Sequence, residues 1–363
     1  MELKYGTWTV SSYEPADARA LCAAGFSPIT AALLCSRGYR DADAAREFLS
    51  CSYPLSSPFD LLDMDKAAAR VRLALQRREH IAVFGDYDVD GITATCLLTE
   101  YLRSRGGHVT SYIPARLEEG YGLNPLAIDT LKKQGVELIV TVDCGITANQ
   151  EAQLCKELGI DLVITDHHEC KSELPQAAAL VDPHRKDQPQ PVTEMAGVGV
   201  AFKLAAAIEG DQEKLLDQYC DFLCLGTVAD VMPLTGENRT MVARGLRALA
   251  NPKRVGIAAL MAECAVQKGP VTAGTIGYTL APRINAAGRM RMDENDENAA
   301  PSGGYAAVNL LVENNESDAE DYGSIIDAFN QDRKSIDRHV TQEAHEIIES
   351  DPELKNRKST VIY

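Results

Sequence analysis

Between residues 81 and 181 the sequence repeats one pattern, in which a short apolar run is followed by a segment with helical periodicity. The predicted strands are 81–84, 108–113, 138–142, 162–165 and 178–181, and the main helices between them are 92–103, 124–134 and 148–158. Continuous apolar strands that alternate with helices are typical of a parallel sheet covered on both faces. The pattern therefore predicts an α/β fold, with a parallel β-sheet flanked by helices.

Acidic and imidazole side chains follow three of these predicted strands. The first strand runs into Gly-Asp-Tyr-Asp-Val-Asp-Gly at 85–91, the third into Asp-Cys-Gly at 143–145, and the fourth into Asp-His-His at 166–168. Ligands of such sheets bind beyond the carboxyl ends of the strands. Carboxylates packed this closely repel one another, and a cation keeps them ionised. One acidic loop alone would be interpreted as solvated surface, but its recurrence favours a shared cation site.

An EF-hand is the alternative interpretation of residues 86–91, because a calcium loop also begins with Asp-x-Asp-x-Asp-Gly. That loop has Glu at its twelfth position, where this sequence has Leu97. It also follows a helix, whereas a predicted strand precedes residue 86. We therefore reject the EF-hand.

Asp230 is a further candidate because it interrupts the apolar run 222–234. An acid in such surroundings is paired, capping a helix or bound to a ligand. Alone, a helix cap would be the better interpretation. Together with the other acidic clusters, Asp230 is predicted to be a metal ligand.

The other segments are predicted to have structural roles. Residues 1–80 are mostly helical, and the glycines of 197–208 indicate close helix packing, since their spacing is not Gly-x-Gly-x-x-Gly. Residues 293–304 are predicted to form an acidic surface loop, and 317–348 one long polar helix of the kind that bridges domains. Residues 360–363 resemble the opening of another strand.

Composition restricts the class of protein. The 363 residues are 45% hydrophobic and 25% charged, as in soluble globular proteins, and we find neither a signal peptide nor a membrane span. Ten cysteines without Cys-x-x-Cys pairing indicate reduced thiols and a cytoplasmic protein. The formal charge of −17 argues against a broadly basic nucleic-acid surface. It leaves open a nucleic-acid enzyme whose metal ions and a few arginines make the site locally positive.

The predicted ligands indicate a reaction class. Carboxylates with histidine and no thiolate cluster suit Mn²⁺ or Mg²⁺ better than structural zinc. A bridging carboxylate fits two cations about 3.5–4 Å apart, which promote in-line displacement at phosphorus. Asp166 is predicted to orient the imidazole of the neighbouring His167. The residues thus predict hydrolysis of a phosphate ester and leave its substrate open.

The motifs at 85–91, 142–145 and 165–168, together with Asp230, resemble the successive motifs of the DHH phosphoesterase family. The segments 112–122, 196–203 and 282–290 are similar to those of its single-strand-specific 5′→3′ DNA exonucleases. This resemblance covers roughly residues 35–363. It implies release of 5′-mononucleotides from single-stranded DNA, in DNA repair and recombination.

The resemblance also implies a role for each site residue. The implied ligands of two Mn²⁺ or Mg²⁺ ions, with Asp143 bridging them, are Asp88, Asp90, Asp143, His167 and Asp230. His168 would face the scissile phosphate, and it would stabilise developing charge or protonate the leaving oxygen. Asp86 and Asp166 would support the site from nearby.

Three residues are implied to bind substrate. Arg116 would hold the 5′-terminal phosphate, and Asn285 and Arg289 the DNA backbone. Without the resemblance, Arg116 could equally be in a surface ion pair, and the Asn-Ala-Ala-Gly-Arg segment at 285–289 could simply be a turn.

The family's organisation implies four parts for this chain. A helical segment (1–78) would pack on the DHH core (79–235), followed by a helical part carrying the Asn-Ala-Ala-Gly-Arg loop (236–315) and a long linker helix (316–363). We expect the linker to lead to a second domain that this sequence lacks. The implied partner is single-stranded DNA with a 5′ end, with a single-strand-binding protein or a helicase as further partners, no membrane, and a monomeric state.

Two alternatives stay open. One is a DHH-family hydrolase of short oligonucleotides, cyclic dinucleotides or pyrophosphate, although Phe84 stands where family II pyrophosphatases have a metal-binding histidine. The other is a non-catalytic DHH-fold scaffold. Inactivated relatives have lost ligands, whereas every expected ligand is present here.

Overall fold

The structure is a computed structural model, and it describes residues 11–267, 269–289, 303–355, 357 and 359–362. Within these ranges it does not describe the side chains of residues 117, 118, 352 and 355. The chain forms two compact units. One comprises the chain up to Leu55 together with Leu234–Thr240, and the other comprises Ser56–Pro233 and the chain from Met241 onward.

The smaller unit contains three short helices: α1 (Pro15–Ala23), α2 (Pro28–Ser36) and α3 (Ala42–Ser50). Helix α3 begins after Asp41, whose carboxylate accepts hydrogen bonds from the N–H groups of the second and third residues that follow it. The buried side chains of the three helices are Leu21, Ala31, Leu34, Cys35 and Ala45. The helical character predicted for this part of the sequence is confirmed.

The larger unit is built on a five-stranded parallel sheet with the strand order β2-β1-β3-β4-β5. The strands are β1 (His80–Gly85), β2 (His108–Tyr112), β3 (Leu138–Val142), β4 (Asp161–Thr165) and β5 (Ala179–Val181). Every residue of β1 and β3 is buried, which explains why these strands are apolar without alternation. The predicted parallel sheet is therefore confirmed, with strand bounds within two residues of the prediction.

Helices precede or separate most of these strands. Helix α4 (Met64–Arg77) leads into β1, and α5 (Val89–Ser104) connects β1 to β2. The short α6 (Arg116–Glu119) and α7 (Pro125–Lys133) connect β2 to β3, and α8 (Asn149–Glu157) connects β3 to β4. The chain thus returns to the same end of the sheet before each strand, as a parallel sheet requires.

A set of helices follows the sheet in the chain. It consists of α9 (Gly197–Glu209), α10 (Gln212–Ala229), α11 (Gly236–Leu249), α12 (Val255–Glu263), α13 (Ala273–Thr275), a π-helical turn (Ile276–Leu280), α14 (Ala281–Ala287), α15 (Gly303–Val312), α16 (Glu316–Ser350) and α17 (Pro352–Lys355). Helices α9 and α10 pack on α5, which also contacts the sheet. Helix α5 is therefore buried on nearly all sides, although the chain positions several polar groups on it.

Arg254 connects three of these helices. Its guanidinium donates hydrogen bonds to Glu100 on α5 and to Asp221 on α10, from its own position at the start of α12. The guanidinium carbon also lies 4.2 Å from the centroid of the Phe222 ring. A largely buried arginine is tolerated here because both carboxylates and the ring compensate for its lost hydration.

The end of the chain matches the prediction in part. Helix α16 (Glu316–Ser350) confirms the long polar helix predicted at 317–348. The strand predicted at 360–363 is wrong for the described residues 360–362, which are not in a strand. No described strand lies beside them to pair their backbone groups, and an unpaired strand has no stabilising partner. Of the loop predicted at 293–304, all but Gly303 and Gly304 lies outside the described residues, and these two glycines begin α15.

Among the helices that the structure describes, none combines the length and the apolar character needed to cross a bilayer.

Gly245 on α11 allows a close approach to α10, and it gives a test of this packing. A Cβ at this position would lie 2.2 Å from the carbonyl oxygen of Cys220 and 2.2 Å from the Cβ of Cys224. Since neither atom is the end of a flexible side chain, we expect Gly245→Ala to lower the free energy of unfolding by about 1–3 kcal/mol. Urea denaturation followed by circular dichroism measures the change. The control is Gly277→Ala, where a Cβ meets no atom within 4 Å, and equal midpoints for the two variants would contradict the packing.

Candidate metal centre

The acidic groups predicted from the sequence meet at one edge of the sheet. Asp86, Asp143 and Asp166 directly follow β1, β3 and β4. These strands are parallel, and β3 pairs with both of the others, so their carboxyl ends lie side by side. The convergence on which the sequence interpretation depends is therefore observed.

The loop after β1 is held by its own hydrogen bonds. Asp88 is the N-cap of α5, and its Oδ1 accepts from the N–H groups of Asp90 and Gly91 at 2.9 and 3.1 Å. A Cβ on Gly91 would lie 2.5 Å from the backbone oxygen of Asp86. The Asp-x-Asp-x-Asp-Gly pattern thus folds as a helix start against a strand end, which differs from a calcium loop.

Asp90 lies against the N-terminus of α9. Its Oδ2 accepts from the N–H of Gly197 at 2.5 Å, and its Oδ1 accepts from the N–H of Val198 at 2.9 Å. A Cβ on Gly197 would lie 2.5 Å from the Cβ of Asp143, so only glycine lets the helix approach. The prediction that the glycines of this segment serve helix packing is confirmed, and the N-terminus of α9 stabilises a buried negative charge.

His167 joins three of the carboxylates. Its Nε2 lies 3.0 Å from Asp143 Oδ1, 3.7 Å from Asp90 Oδ2 and 3.7 Å from Asp230 Oδ2. Burial, and then the neighbouring His168, lowers the pKa of His167 to about 4. The imidazole is therefore neutral at pH 7, as a metal ligand must be.

Two buried oxygen atoms at the site have no hydrogen-bond donor. Asp86 Oδ1 and Asp143 Oδ1 find no partner within the described part of the chain, even though Asp143 Oδ1 lies close to His167 Nε2. A short contact between a carboxylate oxygen and an imidazole nitrogen without a hydrogen bond is the arrangement of two ligands facing one ion. Buried, unpartnered carboxylate oxygens are the donors that a divalent cation would satisfy.

Three overlapping groups of side chains have ligand atoms within 4.8 Å of one another. The groups are Asp90–His167–Asp230, Asp86–Asp88–Asp143 and Asp143–His167–His168. Since Asp143 and His167 each belong to two groups, the residues present fit a centre for adjacent cations that share ligands.

The carboxylates of this cluster resist ionisation while no cation is near. Burial, and then the charge of Asp88, raises the pKa of Asp86 to about 7 and that of Asp230 to about 6. Burial and neighbouring acids also raise the pKa values of Asp90 and Asp143 well above the usual range. A divalent cation would reverse this order by favouring the ionised forms.

Asp166 orients a different imidazole from the one predicted. Its Oδ1 accepts from His168 Nδ1 at 2.7 Å, whereas only the backbone N–H of His167 reaches it. The sequence interpretation paired Asp166 with the ring of His167; this is corrected, because the chain direction after β4 turns the His168 ring back onto the carboxylate. Burial favours a raised pKa for Asp166, but the hydrogen bond and charge of His168 outweigh it and lower that pKa. The same hydrogen bond raises the pKa of His168 to about 9.

The three residues predicted to bind substrate lie around the loop after β1. The Arg116 guanidinium carbon is 4.7 Å from the centroid of the Tyr87 ring, and a Cβ on Gly288 would lie 1.9 Å from the Tyr87 carbonyl oxygen. Asn285 Oδ1 accepts from the N–H of Val89 at 3.1 Å, so this amide also fixes the start of α5. The exposed side chains of Arg116 and Arg289 are positive groups near an acidic centre.

Asp182 was not predicted to be a site residue, although it follows β5 as the other acids follow their strands. It is fully buried, its Oδ1 accepts from the N–H of His184 at 2.7 Å, and its Oδ2 has no partner among the described residues. Burial raises its pKa to about 7, and the nearby charge of Asp166 acts in the same direction. The repeated pattern of a strand followed by an acid was the signal that could have identified Asp182 as a further buried carboxylate after a strand.

Together, the fold and the cluster define an α/β protein with a divalent-cation centre at the edge of a parallel sheet. A family model described as "DHH family, N-terminal domain" matches residues 80–227. The single-stranded-DNA-specific exonuclease RecJ of Bacillus subtilis is 40% identical over 324 residues, which are 89% of this chain and 39% of that protein. A crystal structure of exonuclease RecJ bound to manganese matches with a TM-score of 0.69 and 32% identity, over 80% of this chain and 71% of the other.

RecJ of Thermus thermophilus in complex with Mn²⁺ matches with a TM-score of 0.73 and 29% identity, over 92% of this chain and 46% of the other. The chain belongs to the RecJ branch of the DHH family. It spans well under two thirds of the length of the Bacillus protein.

The pair formed by Asp166 and His168 makes a prediction about pH. His168 has a pKa of about 9 in the folded protein, above the 6.5 of a free histidine, so protonation of its imidazole stabilises the folded state. This contribution to stability is fully present below pH 6.5 and is lost as the pH rises through 9. We expect Asp166→Asn to lower the pKa of His168 toward 6.5, as measured by NMR titration of the metal-free protein.

The matched control for this titration is Asp129→Asn, because Asp129 is an exposed acid on α7. His168 should titrate near pH 9 in the control. A value near 9 in Asp166→Asn as well would mean that the carboxylate does not hold the proton on the imidazole.

Proposed function

We propose that this chain is the catalytic part of a single-strand-specific 5′→3′ DNA exonuclease that hydrolyses phosphodiesters and releases 5′-mononucleotides, in DNA repair and recombination. The observation that carries the proposal is the set of three overlapping ligand groups at the sheet edge, in which Asp143 and His167 each belong to two groups. The names of the related proteins, which act on single-stranded DNA, support the choice of substrate.

The cations are proposed to be two Mn²⁺ or Mg²⁺ ions, the metals present in related RecJ crystal structures. Oxygen-rich donor sets with one imidazole suit both metals. When bound, they supply positive charge that stabilises the phosphoryl group and lower the pKa of an attacking water. The proposed ligands, with Asp143 shared, are Asp88, Asp90, Asp143, His167 and Asp230.

The proposed proton donor is His168. With a pKa of about 9 in the metal-free protein its imidazole is protonated at neutral pH, and its side chain is about half exposed. It can stabilise charge on the phosphoryl oxygens or donate a proton to the leaving 3′ oxygen. Asp166 positions this ring through the 2.7 Å hydrogen bond, and it favours the protonated form.

Asp86 is proposed to support the reaction from its position beside Asp88 and Asp143. Burial raises the pKa of its carboxyl group to about 7 in the metal-free protein, so its ionised form needs positive charge nearby. Its unpartnered Oδ1 is buried beside Asp88 and Asp143. It can therefore accept a proton from the site or complete the ligand set.

Arg116, Asn285 and Arg289 are proposed to hold the substrate. The two arginines are exposed and lie near Tyr87, where their positive charges act against the raised pKa that burial gives this tyrosine. Guanidinium groups bind phosphate in a bidentate way, so Arg116 suits a terminal 5′ phosphate and Arg289 suits the backbone. The amide nitrogen of Asn285 can donate to a phosphate while its oxygen keeps its bond to Val89.

The setting of the protein is proposed to be the cytoplasm. All ten cysteines are free in the structure, which fits a reducing compartment. A monomer that works with a single-strand-binding protein or a helicase is proposed from the resemblance alone. The division of the chain into the four parts predicted from the sequence is proposed on the same basis.

The proposed activity is tested with single-stranded DNA labelled at the 5′ or the 3′ end, in the presence of Mn²⁺. We expect mononucleotides to appear from the 5′ end, and Asp143→Asn to reduce the rate by about 100-fold or more, because the shared ligand is lost. The variant should still fold, since asparagine tolerates the φ of +61° found at this position and removes a buried charge. Addition of Mn²⁺ should raise the melting temperature of the wild type far more than that of the variant.

The matched control is Asp129→Asn, which should keep full activity. Products released from the 3′ end, or equal rates for wild type and Asp143→Asn, would contradict the proposal. A parallel assay with pyrophosphate separates the small-substrate hydrolase, and hydrolysis of pyrophosphate without mononucleotide release would favour that alternative.

Arg116→Ala tests recognition of the 5′ phosphate. We expect KM for 5′-phosphorylated DNA to rise about tenfold or more, because a charge-assisted bidentate contact is lost. Steady-state kinetics should show a smaller change for DNA with a 5′ hydroxyl. The control is Arg77→Ala, since Arg77 is an exposed arginine on α4, near the amino end of β1. An equal loss on both substrates would assign Arg116 to another role.

A further inference from the structure

The residue after Asp230 has a backbone conformation that its side chain disfavours. Val231 has a φ of +59°, which is a genuine outlier for a β-branched residue. It ends α10 in a Schellman motif, in which the N–H of Val231 donates to the oxygen of Val228 and the N–H of Met232 donates to that of Thr227. Glycine is the usual residue at this left-handed position, because it has no Cβ to clash.

Packing does not compensate for this strain. Val231 is 85% exposed to solvent. Its hydrocarbon therefore gains little from burial, and glycine would satisfy the same backbone hydrogen bonds. A strained residue whose side chain faces solvent at a proposed active site supports a hypothesis of function.

Ala265 shows the same motif without the large side chain. It has a φ of +51° after α12, where its N–H donates to the oxygen of Ala262 and the N–H of Val266 donates to that of Met261. Helix α12 carries none of the proposed site residues. Arg78 ends α4 in the same way with an unbranched side chain. Among the described residues other than glycine with positive φ, Val231 is therefore set apart by its β-branch, which this conformation disfavours most, and the branched side chain needs its own explanation.

We propose that Val231 contacts the substrate, with its isopropyl group packing against the sugar and base of the nucleotide next to the scissile phosphate. The inference rests on the proposed function, because it places Val231 beside a ligand of the cations that hold that phosphate. An uncharged side chain next to Asp230 can approach a nucleotide without adding repulsion to its phosphate. Apolar contact does not read base edges, so the contact serves every base alike.

Val231→Gly separates the contact from the strain. We expect its melting temperature to rise by about 1–3 °C, since the Cβ penalty is removed. We expect KM for single-stranded DNA to rise about fivefold with kcat nearly unchanged, as for the loss of a contact made equally in the bound and transition states. Val231→Ile keeps the branched hydrocarbon, and it should keep the wild-type KM.

The matched control is Ala265→Gly, which should raise the melting temperature and leave KM unchanged. A wild-type KM in Val231→Gly, or a loss of kcat at constant KM, overturns the inference while the exonuclease activity stands. A melting temperature that does not rise in Val231→Gly overturns the strain on which it depends. If the wild-type chain releases no mononucleotides from any single strand, the proposed function fails and the inference fails with it.

Discussion

Negative charge concentrated at one edge of the sheet is the constraint on which the rest of this structure depends. Asp86, Asp90 and Asp143 are almost inaccessible to solvent, and removing ionised carboxylates from water costs several kcal/mol each unless donors or cations replace the water. The chain supplies donors for Asp90 from the N-terminus of α9, whereas Asp86 and Asp143 each keep an oxygen for which the described residues supply no donor. The fold therefore compensates part of the charge and leaves the remainder for divalent cations.

Close packing of backbone makes this edge possible. Glycines occur where a helix or a loop meets the acids: a Cβ on Gly197 would clash with Asp143, and a Cβ on Gly226 would lie 2.7 Å from Asp90 Oδ1. Helices α9 and α10 can thus cover α5 and still deliver N–H groups and Asp230 to the site. The same close packing therefore forms the core of the larger unit and the proposed metal centre, since a larger residue in place of either glycine would displace a carboxylate.

What the sequence could predict follows from the range of each interaction. Strand bounds and the convergence of the acids could be predicted, because period, apolar runs and the geometry of parallel sheets are local or general properties. The partner of Asp166 was predicted wrongly, since adjacent imidazoles differ only in the direction that the chain takes after β4. The bond from Val89 to Asn285 joins positions 196 residues apart and leaves no local pattern. The strand prediction was wrong for the described residues 360–362, because a strand depends on a neighbour that the segment itself does not specify.

The same charge makes binding of cations and of substrate interdependent in the proposed function. A phosphodiester approaching the metal-free edge would meet carboxylates, whereas cations convert that edge into an attractive site. Bound cations therefore increase the affinity for the substrate, and bound substrate increases the affinity for the cations by the same factor. An acidic protein of net charge −17 can in this way bind a polyanion at one place, because recognition is confined to the cations and the few arginines beside them.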